Sequence, residues 1–173
     1  MYHGPVVSLE QVLESRENRA NKQREWVQTH SLPLVSFSIN MMGEVKKNTI
    51  AQIAFNAGVE AIFAACDAAQ LTIIRHECVE ADSGYELLAA IYTHDVIRLK
   101  KRMIAIEEEH TLGRLFDIDV IPQNLQPISR QEVNRSPRRC LVCDSEAKLC
   151  ARSRAHTKAQ LINKMMEMTN DYQ

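Results

Sequence analysis

The stretch "LGRLFDIDVI", residues 112–121, closes the region that decides the fold. Asp117 and Asp119 sit two apart in an otherwise apolar run that reads as a strand. Side chains alternate across a strand, so Phe116, Ile118 and Val120 share one face and the two aspartates the other. The apolar set belongs against helices, and the acids belong on the uncovered side.

Working back from this strand, "PLVSFSIN" (33–40) alternates with period two and reads as a strand. The Ala-rich run 49–69 reads as a helix, with Gly58 weakening its middle. "LTIIRHECVE" and "YELLAAIY", joined by the turn "ADSG", read as a hairpin. Val96, Leu99, Met103 and Ile106 put a helix over 94–109, with Thr93 or Asp95 as its cap. Residues 33–121 are therefore ordered β-α-β-β-α-β. This predicts an α+β fold, a ferredoxin-like antiparallel sheet with its first and last strands adjacent and both helices on one face. A helix over 8–30, capped by Ser8 with Gln11 completing a capping box, precedes this core. Helices over 144–152 and 157–171 follow it, within a Cys- and Arg-rich extension spanning 137–173. At 173 residues the chain is expected to form a single domain, 1–173.

Hydrophobic residues make up 45% and charged residues 25%, ordinary for a globular protein. No apolar stretch reads as long enough to span a bilayer, and "MYHGPVVSLEQ" lacks the pattern of a signal peptide. The expected location is cytoplasmic, with no membrane partner. A net charge of −1 gives no sign of a nucleic-acid binder. Between Arg130 and Lys164, however, nine basic residues face three acids, a surface suited to phosphate groups or an acidic protein.

Residues two apart on a strand have Cα atoms roughly 6.6 Å apart. Asp117 and Asp119 can therefore converge on one Mg²⁺, or share two ions in an in-line phosphoryl displacement. Ser36 and Ser38 of the first strand fall on the same face. Their small hydroxyls leave room for a phosphate. Gly113 gives backbone room beside the acids, and Arg114 is a candidate for binding a polyphosphate or for pairing with an acid. Glu107 is the candidate third metal ligand. Alternating acids are also common on plainly solvated strands.

Five cysteines without a secretion signal argue against a disulfide framework. Cys66 and Cys78 are expected to be core thiols. Cys140, Cys143, Cys150 and His156 have the spacing C-x2-C-x6-C-x5-H. This is either a tetrahedral zinc set or a group of packed thiols, the packed thiols being the commoner outcome.

Four segments carry a family resemblance: "SRENRANKQ" (15–23), "PLVSFSINMMGEVK" (33–46), "EEEHTLGRLFDIDVI" (107–121) and "RRCLVCDSEAKLCARSRAH" (138–156). Over nearly its whole length the chain resembles the holo-citrate lyase acyl carrier protein synthases, also called apo-citrate lyase phosphoribosyl-dephospho-CoA transferases. The resemblance implies a nucleotidyltransferase. Its donor would be 2'-(5''-triphosphoribosyl)-3'-dephospho-CoA and its acceptor a serine of the citrate lyase acyl carrier protein subunit. Pyrophosphate would leave. Asp117 and Asp119 would hold Mg²⁺, Arg114 with Arg138, Arg139 and Arg152 would grip the triphosphate, and Arg16, Arg19 and Gln23 would meet the nucleotide or the carrier. Polymerase-β-type transferases carry a Gly-Ser turn ahead of their paired acids. Here that region reads "RMIAIEEEH", so the motif supports metal-assisted transfer rather than that superfamily. The rival expectation is a non-enzymatic, zinc-stabilised assembly factor for the lyase.

Overall fold

A computed structural model describes residues 1–173. In chain order the elements are α1 (Leu9–His30), β1 (Leu34–Ile39), α2 (Thr49–Ala68), β2 (Thr72–Ala81), β3 (Gly84–Tyr92), α3 (Val96–Glu109), β4 (Phe116–Ile121), α4 (Ala147–Ser153) and α5 (Lys158–Tyr172). The fold is α+β, with one four-stranded sheet ordered β2-β3-β1-β4 and antiparallel at every pairing. As expected, the first and last strands are neighbours. Ser36 lies opposite Asp119 and Ser38 opposite Asp117.

The caps explain most helix starts. Ser8 and Gln11 form the predicted capping box of α1. Asn48 caps α2, Asp95 caps α3, and Thr157 with Gln160 forms a second capping box at α5. Each satisfies backbone N–H groups that a helix start leaves without partners.

The main core lies between the sheet and α2, α3 and α5. Val35, Phe37, Leu87, Ile118 and Val120 of the sheet meet Ile50, Phe55, Ile62, Leu99, Met103 and Met165 of the helices. Phe37 is stacked on Phe55 and meets Phe116 edge-on, each at 5.4 Å. A Cβ on Gly58 would lie 2.2 Å from the Phe37 ring, so glycine lets that ring reach the α2 backbone.

Three expectations need correction. The second face of the sheet is not open, because α1 crosses it. Trp26 and Val27 pack there on Leu34, Leu88, Ala90 and Ile121, and the Arg75 guanidinium lies 4.0 Å over the Trp26 ring. These apolar positions share the face of the serines and aspartates, and they need a cover. Next, α2 is long and apolar enough to cross a membrane by length and composition. Here it buries Ile50, Ala54, Phe55 and Ile62 in the core. Finally, Cys66 is buried as expected, but Cys78 is exposed on the edge strand β2.

The other edge strand is β4, and α3 covers its free backbone. Lys100 Nζ donates to Ile118 O at 3.0 Å, and Ile118 N–H donates to Glu107 Oε1 at 2.9 Å. One residue of the edge thus has both main-chain groups satisfied by buried, charged side chains.

Candidate functional site

Asp117 is exposed and Asp119 half-buried. Burial is the main force pushing the Asp119 carboxyl above its usual range; the Asp117 charge adds to it, while Lys100 and Arg19 oppose it. Two like charges on one strand face, with no hydrogen bond among the causes acting on Asp119, suit a bound cation.

The covering helix supplies the rest of the site. Arg16, Arg19 and Gln23 occupy one face of α1, as their spacing predicted, and that face looks onto the sheet. Gln23 Nε2 donates to Ser36 Oγ at 3.1 Å, and Arg19 Nη1 lies 3.5 Å from Ser38 Oγ. Arg19 Nε is 3.2 Å from Glu86 Oε1, an ion pair off the line of a hydrogen bond. A cavity of about 380 Å³ remains between α1 and the sheet. Its walls bring together Arg16, Arg19, Gln23, Ser38, Lys46 and Asp117. Lys46 was not singled out from sequence. Burial, and then the nearby Arg16 charge, lower its pKa. Two cations crowded into one cleft suit a phosphate. Ser36 is buried, already engaged by Gln23, and does not line this cleft.

Beyond the cleft, Asn40 joins its wall to that of a larger cavity of about 550 Å³. Arg114, Arg138, Arg139 and Arg154 line this second space together with Leu141 and Leu161. A third recess of about 490 Å³ has no hydrophobic lining residue and shares Arg114, Arg138 and Arg139. The Arg138 guanidinium donates to the carbonyl of Phe116, the residue before Asp117. Burial, followed by the neighbouring Arg138, lowers the pKa of Arg114. Arg152 lies exposed on α4 and lines none of these spaces.

Glu107 and Gly113 have other occupations here. The Glu107 carboxylate is buried, accepts from Ile118 N–H, and is paired with both Arg130 and Arg138. It lies on the helix side of β4, whereas the aspartates lie on the α1 side. Gly113 lets the chain pass the end of α3. A Cβ there would lie 2.5 Å from the carbonyl oxygen of Glu107. The pairings of Arg130 and Lys100 escaped the sequence reading because their partners are 18 to 23 residues away.

Cys140, Cys143, Cys150 and His156 do converge. Their ligand atoms lie within 4.8 Å of one another, a cluster that could hold a metal ion such as zinc. The Ser145 backbone N–H, with His156 next, brings the Cys143 thiol down to about 6. The neighbouring Cys143 is the main force pushing Cys150 up to about 11.

Residues 7–172 match the family model described as "Apo-citrate lyase phosphoribosyl-dephospho-CoA transferase". A Vibrio cholerae serotype O1 (strain M66-2) protein named "Probable apo-citrate lyase phosphoribosyl-dephospho-CoA transferase" is 43% identical, over 99% of this chain and 98% of its own. An Escherichia coli O1:K1 / APEC protein, named "Apo-citrate lyase phosphoribosyl-dephospho-CoA transferase", is 35% identical over 96% of this chain and 90% of its own. A Shigella boydii serotype 18 protein with the same name matches to the same extent. On matches of this length and identity, the chain belongs to the apo-citrate lyase phosphoribosyl-dephospho-CoA transferase family.

Proposed function

We propose that this protein transfers the phosphoribosyl-dephospho-CoA group from 2'-(5''-triphosphoribosyl)-3'-dephospho-CoA to a serine of the citrate lyase acyl carrier protein subunit. The observation that carries this reading is the cleft in which Asp117, Ser38, Arg16, Arg19 and Lys46 meet, together with the family membership. The sheet order and its interleaved connections support assignment to the ferredoxin-like class.

The serine oxygen forms a bond to the α-phosphorus of the donor. The bond from that phosphorus to the oxygen bridging to the β-phosphate breaks, and pyrophosphate leaves. Asp117 and Asp119 would hold Mg²⁺, which fits their shared face and like charge. A cation bound there supplies neutralising charge for the phosphate oxygens. One of the two carboxylates takes the serine proton. Arg16 and Lys46 hold the reacting phosphate in line, where positioning and charge do most of the work. Arg114, Arg138 and Arg139 grip the remaining phosphates. The half-apolar wall formed by Leu141 and Leu161 accepts the less polar pantetheine arm. Glu107 is left out of the ligand set, since its oxygens already serve Ile118, Arg130 and Arg138.

The test is the intact mass of apo carrier protein after incubation with enzyme, donor and Mg²⁺. The expected gain is the donor less pyrophosphate. An unchanged carrier, with a competent donor and acceptor, would overturn the proposal. Asp117→Asn and Asp119→Asn should each slow transfer by about 10²–10⁴-fold while remaining folded. Full turnover in both would remove the aspartates from the mechanism.

A further inference from the structure

We infer that Cys140, Cys143, Cys150 and His156 bind one structural Zn²⁺, and that this ion holds the arginine-bearing wall of the 550 Å³ cavity in place. The inference does not depend on the transfer reaction.

Around a tetrahedral zinc, with bonds of about 2.3 Å to sulfur and about 2.0–2.1 Å to nitrogen, two sulfurs lie about 3.8 Å apart and a sulfur and a nitrogen about 3.5 Å. Here Cys143 Sγ lies 3.5 Å from Cys150 Sγ, and His156 Nε2 lies 3.3 Å from Cys143 Sγ. Both distances lie a few tenths of an ångström below these ideal values, and all four ligand atoms lie within 4.8 Å of one another. A disulfide fits less well: its sulfurs bond at about 2.05 Å, and it would leave Cys140 and His156 without a partner.

The backbone around the ligands supports the same reading. Residues 138–147 form a tight hairpin, closed by Cys140 N–H to Ser145 O at 2.7 Å and Ala147 N–H to Arg138 O at 2.8 Å. Arg139 and Glu146 bridge across it. Cys140 and Cys143 flank the tip, and the Val142 N–H points at Cys140 Sγ from 3.5 Å. The chain then enters α4, which brings Cys150 back to the pair. A left-handed turn at Arg154 and a bond from Ala155 N–H to Cys150 O, 3.1 Å, deliver His156.

Leu141 packs against the main core and Arg138 is tied to Glu107, but other parts of the segment are loosely held. Val142 and Leu149 are 38% and 56% exposed. The helix α4 has seven residues and no side-chain cap. A helix that short is not stable by itself, and a bound ion would hold it in place. On binding Zn²⁺ the three thiols lose their protons to solvent, and the imidazole binds neutral.

The site's position gives the ion a consequence. Arg138 and Arg139 directly precede Cys140, and Arg154 lies between Cys150 and His156. All three line the cavity, and Arg138 also reaches the Phe116 carbonyl and Glu107. Zinc would therefore fix both ends of the arginine wall against the strand that carries Asp117 and Asp119.

The full chain, purified under reducing conditions, should carry one zinc per chain by elemental analysis. Asp117→Asn should keep it, and Cys143→Ser with Cys150→Ser should lose it. A second measurement uses the unaltered chain, so that the test does not rest on the folding of the double variant. Stripping with chelator and adding Co²⁺ should give the intense visible bands of a tetrahedral, thiolate-bound ion. Zinc removal should also speed tryptic cleavage after Arg138, Arg139 and Arg154 at least tenfold, and zinc return should reverse it. No zinc in the reduced chain together with no tetrahedral Co²⁺ spectrum would overturn the site. An unchanged cleavage rate would overturn its role in holding the wall.

Discussion

Asp119 sits in an environment that resists its ionisation, burial acting first and the Asp117 charge second. The sign of the consequence is fixed. A carboxyl whose folded-state pKa lies above its unfolded value binds its proton more tightly in the folded chain. Metal-free stability therefore falls as pH rises from the ordinary aspartate range through the raised value. At neutral pH, Asp119→Asn should remove this cost. We expect the variant's Tm to rise, with the difference closing in acid. Mg²⁺ should raise the wild-type Tm and leave the variant's unchanged, since a ligand stabilises only the state that binds it. Thermal melts at two pH values, with and without Mg²⁺, check this; a lower neutral-pH Tm in the variant would refute the stored cost. At this scale, alternation made the pairing of Asp117 with Asp119 and with the serines legible. It could not reveal that Glu107 serves Ile118 N–H, Arg130 and Arg138, because that set is assembled across the fold.

At the scale of elements, α2 shows local propensity and packing in opposition. Propensity alone says that Gly58→Ala should stabilise the helix by about 1 kcal/mol. The new Cβ would meet the Phe37 ring at 2.2 and 2.6 Å, and that ring is held by Phe55 on one side and Phe116 on another. Overpacking a fixed core costs about 1–3 kcal/mol, so packing should win. Urea unfolding should show a net loss of up to about 2 kcal/mol, and a rise in stability would mean that Phe37 moves aside freely. The order of the elements was legible because caps, turn residues and alternation agreed along the chain. The misses were boundaries set by contact. The last strand begins at Phe116 rather than earlier in the 112–121 run, since Gly113–Leu115 forms a 3-10 turn against the end of α3. The helix α4 begins at Ala147 rather than Asp144, because the preceding hairpin claims the residues before it.

Over the whole molecule, the decisive feature is α1 lying across the face expected to be open. Its sequence is largely polar, and only Trp26 and Val27 are buried within it. The signal for a cover lay in the sheet, where Leu34, Leu88, Ala90 and Ile121 share the aspartates' face. That cover turns an exposed acidic strand into one wall of a cleft and brings Arg16, Arg19 and Gln23 to it. Trp26 anchors it, 1% exposed and capped by Arg75. Trp26→Ala should therefore cost about 3–5 kcal/mol and lower Tm by about 10 °C. The loss should be uneven, because the core beneath α2 and α3 does not use this side chain. Hydrogen exchange should quicken first in α1, before β1 and β3. The KM for the nucleotide donor should rise with it, because the cations of α1 would then be held less firmly over Asp117. Unaltered exchange in α1, or protection lost equally from α1 and the central strands, would show that the helix is not a separately anchored cover.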